Sequence, residues 1–165
     1  MRAHLGVGSN LGDRWGNLAL AARELRRTPG LTVTGASRVY ETEPLGPAPQ
    51  PRYLNAVLEL ETRLAPPAVL FHLLRIEQVA LRRRAIRWGA RTLDLDLLLC
   101  EDLVLRTPEL TVPHPALVAR RFVLAPLAEL CPDRTVPGTG ATVSELLRRA
   151  PPQQVIAAGR YPGLP

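Results

Sequence analysis

Two aspartates spaced two residues apart, Asp94 and Asp96, are the side chains of this sequence best suited to chemistry. They lie in a leucine-rich segment, residues 93–99, whose pattern predicts a buried strand. Alternate residues of a strand face the same side, so the two carboxylates would be neighbours while leucines fill the core. A hard cation relieves their repulsion, and Mg2+ is typically held by one or two carboxylates together with substrate phosphates and water.

A run of arginines directly precedes this pair. Guanidinium groups bind phosphate oxygens through paired hydrogen bonds, so they suit the phosphates that would complete a magnesium site. Taken alone, an aspartate pair is more often a solvated strand face, and an arginine run is more often a charged surface or a nucleic-acid contact. Their combination, joined by Trp88 and Gly89, favours a site for Mg2+ and a polyphosphate. The arginines are Arg82, Arg83, Arg84, Arg87 and Arg91.

Length and composition are those of an ordinary soluble domain. With 165 residues, 46% hydrophobic and 22% charged, the chain can form one core, and we predict a single domain over residues 1–165. The net charge of +6, with arginine in place of lysine throughout, favours anionic partners. Cys100 and Cys131 do not form a C-x-x-C motif, and no apolar run suits a signal peptide or a membrane span. We therefore expect reduced cysteines and a cytoplasmic protein without a membrane partner.

Hydrophobic periodicity predicts alternating strands and helices up to the aspartate pair. Strands are predicted at residues 3–8, 31–40 and 53–61, with a possible bulge at Gly35, and helices at residues 13–27 and from 66 to about 81. Segment 42–51 holds four prolines, which predicts a rigid extended loop. Beyond the aspartates the sequence predicts short strands near 103–105 and 110–112, a short helix from Pro115, an apolar segment over 122–130, a helix over 143–149 and little structure after 151.

The order strand, helix, strand, strand, helix, strand is that of a split β-α-β unit. It predicts an α+β, ferredoxin-like fold, in which one antiparallel sheet has helices packed on one face and the ligand site on the other. Alternation in the strand at 53–61 places Tyr53, Asn55 and Val57 on one face. An aromatic ring beside an amide suits a flat, polar small molecule, and this strand would share its open face with the aspartate strand.

Several blocks of the sequence, in order, resemble the 6-hydroxymethyl-7,8-dihydropterin pyrophosphokinase family of folate biosynthesis. The block R-W-G-A-R-T-L-D-L-D at 87–96 is the most specific of them. The others are G-S-N-L-G-D at 8–13, Y-E-T-E-P-L-G-P at 40–47, Q-P-R-Y-L-N at 50–55, R-I-E at 75–77, and L-T-V-P-H-P at 110–115 followed by R-R-F at 120–122.

The resemblance implies a transferase that moves pyrophosphate from MgATP to the hydroxymethyl group of the pterin and releases AMP. ATP would be the co-substrate, with two Mg2+ ions held by Asp94 and Asp96. Arg82, Arg84 and Arg91 would neutralise the charge on the phosphates. Asp96 is in addition a candidate acceptor for the proton of the attacking hydroxyl.

The resemblance also implies how the two substrates are bound. Four residues would join Arg91 at the nucleotide, namely Glu77, Arg84, His114 and Arg120. Tyr53 and Phe122 would stack on the pterin ring, while its polar edge would pair with Asn55 and with main-chain groups of Thr42, Pro44 and Leu45. The partners would thus be small molecules, bound by a monomer.

Two other classes of function are compatible with parts of the pattern. A nucleic-acid-binding module fits the positive charge and a ferredoxin-like sheet. No strand carries an interleaved aromatic run, however, and without Mg2+ Asp94 and Asp96 would repel phosphates, so we expect no nucleic-acid partner. A non-enzymatic structural protein would need neither aspartate. The sequence also departs from the family pattern at Glu43, Leu81, Ala90 and Pro115. The spacing from Arg84 to Trp88 is one residue shorter than in some members, which leaves open how Arg82, Arg83 and Arg84 divide their roles.

Overall fold

The computed structural model describes residues 1–44, 49–80 and 91–164, in eight strands and four α-helices. The predicted site residues Leu45, Arg82 and Arg84 lie outside the described residues, as do Arg83 and Arg87. The elements, in chain order, are β1 (Arg2–Ser9), α1 (Arg14–Arg27), β2 (Leu31–Ala36), β3 (Val39–Thr42), β4 (Tyr53–Thr62), α2 (Pro66–Val79), β5 (Asp94–Cys100), β6 (Leu105–Arg106), β7 (Thr111–Val112), α3 (Arg121–Leu130), α4 (Val143–Arg149) and β8 (Val155–Gly159).

One antiparallel sheet of six strands organises the domain, in the order β5-β1-β4-β3-β8, with β2 also paired to β4. The predicted strand at 31–40 is thus two strands, β2 and β3, that pair with successive parts of β4. The register of β2 on β4 shifts between Val33 and Gly35, which agrees with the predicted bulge. The predicted α+β, ferredoxin-like class is confirmed.

Helices α1 and α2 pack on one face of this sheet, as predicted. Helix α1 starts where the Asp13 carboxylate accepts a hydrogen bond from the amide of Gly16 at 3.0 Å. Helix α2 starts with Pro66 and Pro67, whose fixed φ suits a first helical turn. The main core forms between these helices and the sheet, and its members with no measurable exposure include Leu5, Leu18, Leu58 and Leu73.

Helices α3 and α4 lie on the opposite face, an arrangement that the sequence did not predict. They form a second core with Val57 of β4 and Leu98 of β5. The Glu129 carboxylate, near the end of α3, fixes the helix to β3 by accepting from the Arg38 amide at 3.0 Å and from the Tyr40 hydroxyl. The two helices cover only part of this face, and the remainder is open to ligand.

The C-terminal segment is more ordered than its sequence indicates. Strand β8 pairs with β3 and forms one end of the strand order, and the buried Tyr161 hydroxyl donates to the Leu18 carbonyl of α1 at 2.9 Å. The predicted short strands form the β6–β7 hairpin, and the short helix expected from Pro115 is a 3-10 turn at Leu117–Ala119. Among the described residues, no helix combines the length and apolar character needed to span a bilayer.

Candidate active site

A cavity of about 850 Å3 opens on the sheet face opposite α1, and residues of α2, including Glu77, also line it. Strands β1, β4 and β5 form its floor, and the segment leading into α3 forms one wall. Of the predicted site residues that the structure describes, all except Pro44 line this cavity. They are Thr42, Tyr53, Asn55, Glu77, Arg91, Asp94, Asp96, His114, Arg120 and Phe122.

The aspartate pair lies on β5, with both residues on the cavity face. Across the strand pairing, Asp94 is opposite Gly8 and Asp96 is opposite Gly6, so the adjacent strand β1 adds no side chain beside either carboxylate. The Arg91 guanidinium forms an ion pair with Asp94, and Arg120 Nη1 lies 4.0 Å from Asp96 Oδ2. Each carboxylate therefore has an arginine beside it, and both arginines line the same cavity.

Electrostatics distinguish Asp96 from an ordinary surface carboxylate. Burial, followed by the charge of Asp94, raises the pKa of Asp96, although His114 and Arg120 act in the opposite direction. Burial likewise lowers the pKa of His114, against the attraction of Asp96. Since His114 Nδ1 accepts from the amide of Ala116 at 3.2 Å, the neutral ring carries its proton on Nε2, as a donor suited to an anionic oxygen.

The donor set of the aspartate pair fits Mg2+ and not a metal held by protein alone. Among the described residues, no group of three His, Cys, Asp or Glu side chains is arranged to hold an ion. Two neighbouring carboxylates, one with a raised pKa, are hard oxygen donors whose mutual repulsion a divalent cation relieves. An ion here would need further oxygens from a polyphosphate and from water, which is the usual coordination of Mg2+ in phosphoryl transfer.

Glu77, on α2, supports the aspartate strand β5 through a hydrogen bond to its backbone. It is 3% exposed, and its Oε1 accepts from the Leu95 amide at 2.8 Å, between the two aspartates. The carboxylate thereby ties α2 to β5 at the position that sets the direction of both aspartates. Glu77 also lines the cavity.

The part of the cavity away from the aspartate pair is formed by an amide, a hydroxyl and two aromatic rings. Asn55 is 8% exposed, and its Nδ2 donates to Thr42 Oγ1 at 2.7 Å, which fixes the orientation of the amide. Tyr53 and Phe122 contribute the rings, and the Arg120 guanidinium lies 5.7 Å from the centre of the Phe122 ring. These groups suit a flat heterocycle with hydrogen-bonding edges.

Ser9 and Asn10 position Arg91, a role that sequence reasoning missed. The side-chain Oδ1 of Asn10 accepts a hydrogen bond from the backbone amide of Arg91 at 2.7 Å. The backbone amide of Asn10 in turn donates to the Arg91 carbonyl at 3.0 Å. Ser9 Oγ donates to the Thr92 carbonyl at 2.5 Å. Both side chains are almost fully buried. The G-S-N motif was the available signal, since such polar residues next to a buried strand need partners within the fold.

Gly8 is a third functional residue that sequence reasoning missed. A β-carbon at this position would lie 2.9 Å from Asn55 Oδ1, 3.7 Å from Tyr53 Cδ1 and 3.9 Å from Asp94 Cβ. Only glycine leaves room for the Asn55 amide in its observed place. Gly8 therefore lies where the amide and aromatic part of the cavity meets the acidic part.

Comparisons with known proteins agree with this geometry. The family model described as 7,8-dihydro-6-hydroxymethylpterin-pyrophosphokinase matches residues 4–132. The chain is 43% identical over 150 residues to a 2-amino-4-hydroxy-6-hydroxymethyldihydropteridine pyrophosphokinase of Pseudomonas aeruginosa, covering 91% of this chain and 92% of that protein. It is 41% identical over 143 residues to the protein of the same name from Bacillus subtilis, covering 87% and 86%.

Solved structures share the fold at lower sequence identity. The Plasmodium falciparum wild-type HPPK-DHPS structure with SDX-DHP superimposes with a TM-score of 0.64 at 15% identity over 90% of this chain. The A437G form of that protein with STZ-DHP gives a TM-score of 0.67 at 12% identity. This chain spans less than half of those chains, 43% and 45%, so the likeness concerns the fold of one part of each.

Proposed function

This chain belongs to the 7,8-dihydro-6-hydroxymethylpterin-pyrophosphokinase family, and from that membership we propose that the β1–β4–β5 cavity is where pyrophosphate passes from ATP to the pterin. The activity is that of an ATP-dependent diphosphokinase of folate biosynthesis. The product is the pterin diphosphate, and AMP is released. The observation that carries the assignment to this cavity is that the acidic pair and the Tyr53–Asn55 face open into one space.

The amide and aromatic groups are suited to the pterin. Asn55, oriented by Thr42, offers a fixed amide to the polar edge of the ring, while Tyr53 and Phe122 offer flat surfaces for stacking. Main-chain groups of Thr42, Pro44 and Leu45 would complete the contacts along that edge. The hydroxymethyl group would then extend toward the aspartates, because Gly8 joins the two parts of the cavity.

The acidic and basic residues are suited to the triphosphate. Asp94 and Asp96 would hold two Mg2+ ions, which when bound neutralise charge on the phosphate oxygens. Arg91, Arg120 and His114 line the same space and would bind phosphate oxygens directly. Arg82 and Arg84 would assist from the segment that precedes β5, and Glu77 would hold β5 beside the nucleotide.

The transfer itself needs one bond made, one bond broken and one proton moved. The hydroxymethyl oxygen attacks the β-phosphorus, the bond from that phosphorus to the oxygen bridging to the α-phosphorus breaks, and AMP departs with that oxygen. The hydroxyl proton would pass to Asp96, the candidate acceptor on the cavity face. Arg91 and Arg120 stabilise the charge that develops on the departing phosphate.

We propose further that residues 1–165 act as one domain, as a monomer, in the cytoplasm. All residues named above come from one chain, and the cavity needs no second copy to bring its acidic and aromatic parts together. Without Mg2+, the carboxylate pair in the cavity disfavours a nucleic-acid backbone as its occupant, because like charges would face each other there. Small-molecule substrates are the partners that this arrangement supports.

The product distribution tests the proposed function. Purified protein is incubated with 6-hydroxymethyl-7,8-dihydropterin, ATP and Mg2+, and the nucleotide and pterin products are separated. We expect AMP and pterin diphosphate in equal amounts, and neither when the pterin or Mg2+ is omitted. Formation of ADP with a pterin monophosphate would show that one phosphate is transferred and would contradict the assigned reaction.

A further inference from the structure

The side chain of Gln153, in the segment before β8, contacts the wall of the cavity that carries Phe122. Its Oε1 accepts a hydrogen bond from the Phe122 amide at 3.2 Å, across 31 positions of the sequence. Its Nε2 lies 3.5 Å from the Glu43 carbonyl, at the limit of a hydrogen bond. Glu43 follows Thr42, which holds the Asn55 amide. The Gln153 side chain thus contacts the backbone at Phe122 and at Glu43, the two segments that border the part of the cavity assigned to the pterin.

The contact with Phe122 has a specific physical role. The first amides of an α-helix lack partners within the helix and need a side chain or water. Within the described residues, Arg120 at the N-cap of α3 makes no side-chain hydrogen bond to these amides. Gln153 supplies the missing acceptor from a distant part of the chain. The Phe122 backbone is therefore fixed by a residue that lies on neither α3 nor the neighbouring β4.

The other end of α3 is held independently. Glu129 accepts hydrogen bonds from Arg38 and Tyr40 at the C-terminal end of the helix. Because that anchor is remote from the first turn, loss of the Gln153 contact would leave the helix packed on the sheet and release only its start. The start of α3 is also where Arg120 lies 4.0 Å from Asp96.

We propose that Gln153 is a positioning residue for pterin binding, which acts by capping the Phe122 amide and so fixing the ring that the pterin stacks on. This inference rests on the proposed function, since it takes the pterin to lie between Tyr53 and Phe122. The residue touches no reacting atom. It sets the place of Phe122, and because its hydrogen bonds are to Phe122 and Glu43 and not to Arg120, substitution should weaken pterin binding more than ATP binding.

Two substitutions of Gln153 separate capping from mere structural support. Gln153→Ala removes the side-chain oxygen that accepts from the Phe122 backbone amide. We expect the Kd of the pterin to rise about tenfold, because that amide loses its hydrogen-bond partner. Gln153→Glu retains the acceptor for the Phe122 amide but loses the weak donation to the Glu43 carbonyl, so its pterin Kd should rise clearly less than that of Gln153→Ala. Binding is measured by calorimetry with a nonhydrolysable ATP analogue present, and the Kd of the analogue and the unfolding temperature are recorded for each variant.

Gln154→Ala is the matched control, because the neighbouring glutamine contacts Arg52 and not α3. It should leave the pterin Kd within about twofold of wild type. Equal pterin affinity of Gln153→Ala and wild type would overturn the inference, as would loss of affinity in Gln153→Glu equal to that in Gln153→Ala. If wild type itself failed to bind pterin, the proposed function would fail instead, so the two failures are distinguishable.

Discussion

Replacing Asp96 by asparagine is expected to lower kcat by about a thousandfold or more while slightly raising the unfolding temperature of the ligand-free protein. The two effects have one cause. Asp96 is held beside Asp94 in a site whose burial raises its pKa, so its charge is unfavourable until a cation neutralises it. Asparagine keeps the shape, removes the charge and with it the ability to hold Mg2+ and accept a proton.

The stability gain has a defined pH dependence. A carboxyl whose pKa is higher in the folded than in the unfolded state stabilises the fold when protonated and loses that contribution as pH rises through the raised pKa. The advantage of Asp96→Asn over wild type should therefore be present at pH 7 and shrink as pH falls through that pKa. Thermal unfolding across this range measures it.

Asp133→Asn provides the control for Asp96→Asn, since it makes the same change of charge at an exposed position outside the cavity. It should leave kcat unchanged within about twofold. An Asp96→Asn protein that kept more than about a tenth of wild-type turnover would contradict the role assigned to this carboxylate, because loss of a transition-state contact of this kind costs far more.

Gly8→Ala is expected to raise the KM for the pterin roughly 10- to 100-fold, with the KM for ATP changed by much less. The added methyl would lie 2.9 Å from Asn55 Oδ1, closer than such contacts normally occur. The amide must move, and because its Nδ2 is bonded to Thr42 Oγ1, both groups at the pterin edge shift together. Steady-state kinetics with each substrate varied in turn separates the two constants.

Gly6→Ala is the matched control for Gly8→Ala, on the same strand and the same face. A β-carbon at position 6 would lie 3.5 Å from Leu98 Cδ2, an ordinary van der Waals contact. We expect the KM for the pterin to stay within about threefold of wild type. If the two alanine variants were equally impaired in their use of the pterin, the contact with Asn55 would not be the reason that glycine is needed at position 8.

The parts of the fold that the sequence predicted are those in which local pattern and burial agree. Strand β4 is an example: Leu54, Ala56 and Leu58 face the main core, while Tyr53 and Asn55 line the cavity, as the alternation predicted. Helix α1 runs from Arg14 to Arg27, within one residue of the predicted bounds. The family assignment from the motifs is confirmed by the family model and by the curated relatives.

The parts that were missed depend on contacts between distant residues. Strand β8 is short, mostly exposed and rich in alanine, so only its pairing with β3 makes it a strand. Helices α3 and α4 pack on Val57 and Leu98, and together these residues form the second core. No local sequence pattern predicts this packing. The contact between Gln153 and Phe122 joins residues 31 positions apart, which hydrophobic periodicity cannot predict. Tertiary contacts of this kind override local propensity.

The central claim is that Asp94 and Asp96 hold the divalent ions of the reaction, and counting bound ions tests it most directly. Mn2+ replaces Mg2+, a nonhydrolysable ATP analogue saturates the protein, and free Mn2+ is measured by electron paramagnetic resonance. The account predicts about two Mn2+ ions per chain in wild type and clearly fewer in the Asp94→Asn/Asp96→Asn double variant, with the analogue still bound. The same number of ions in both proteins would place the metal elsewhere and contradict the account.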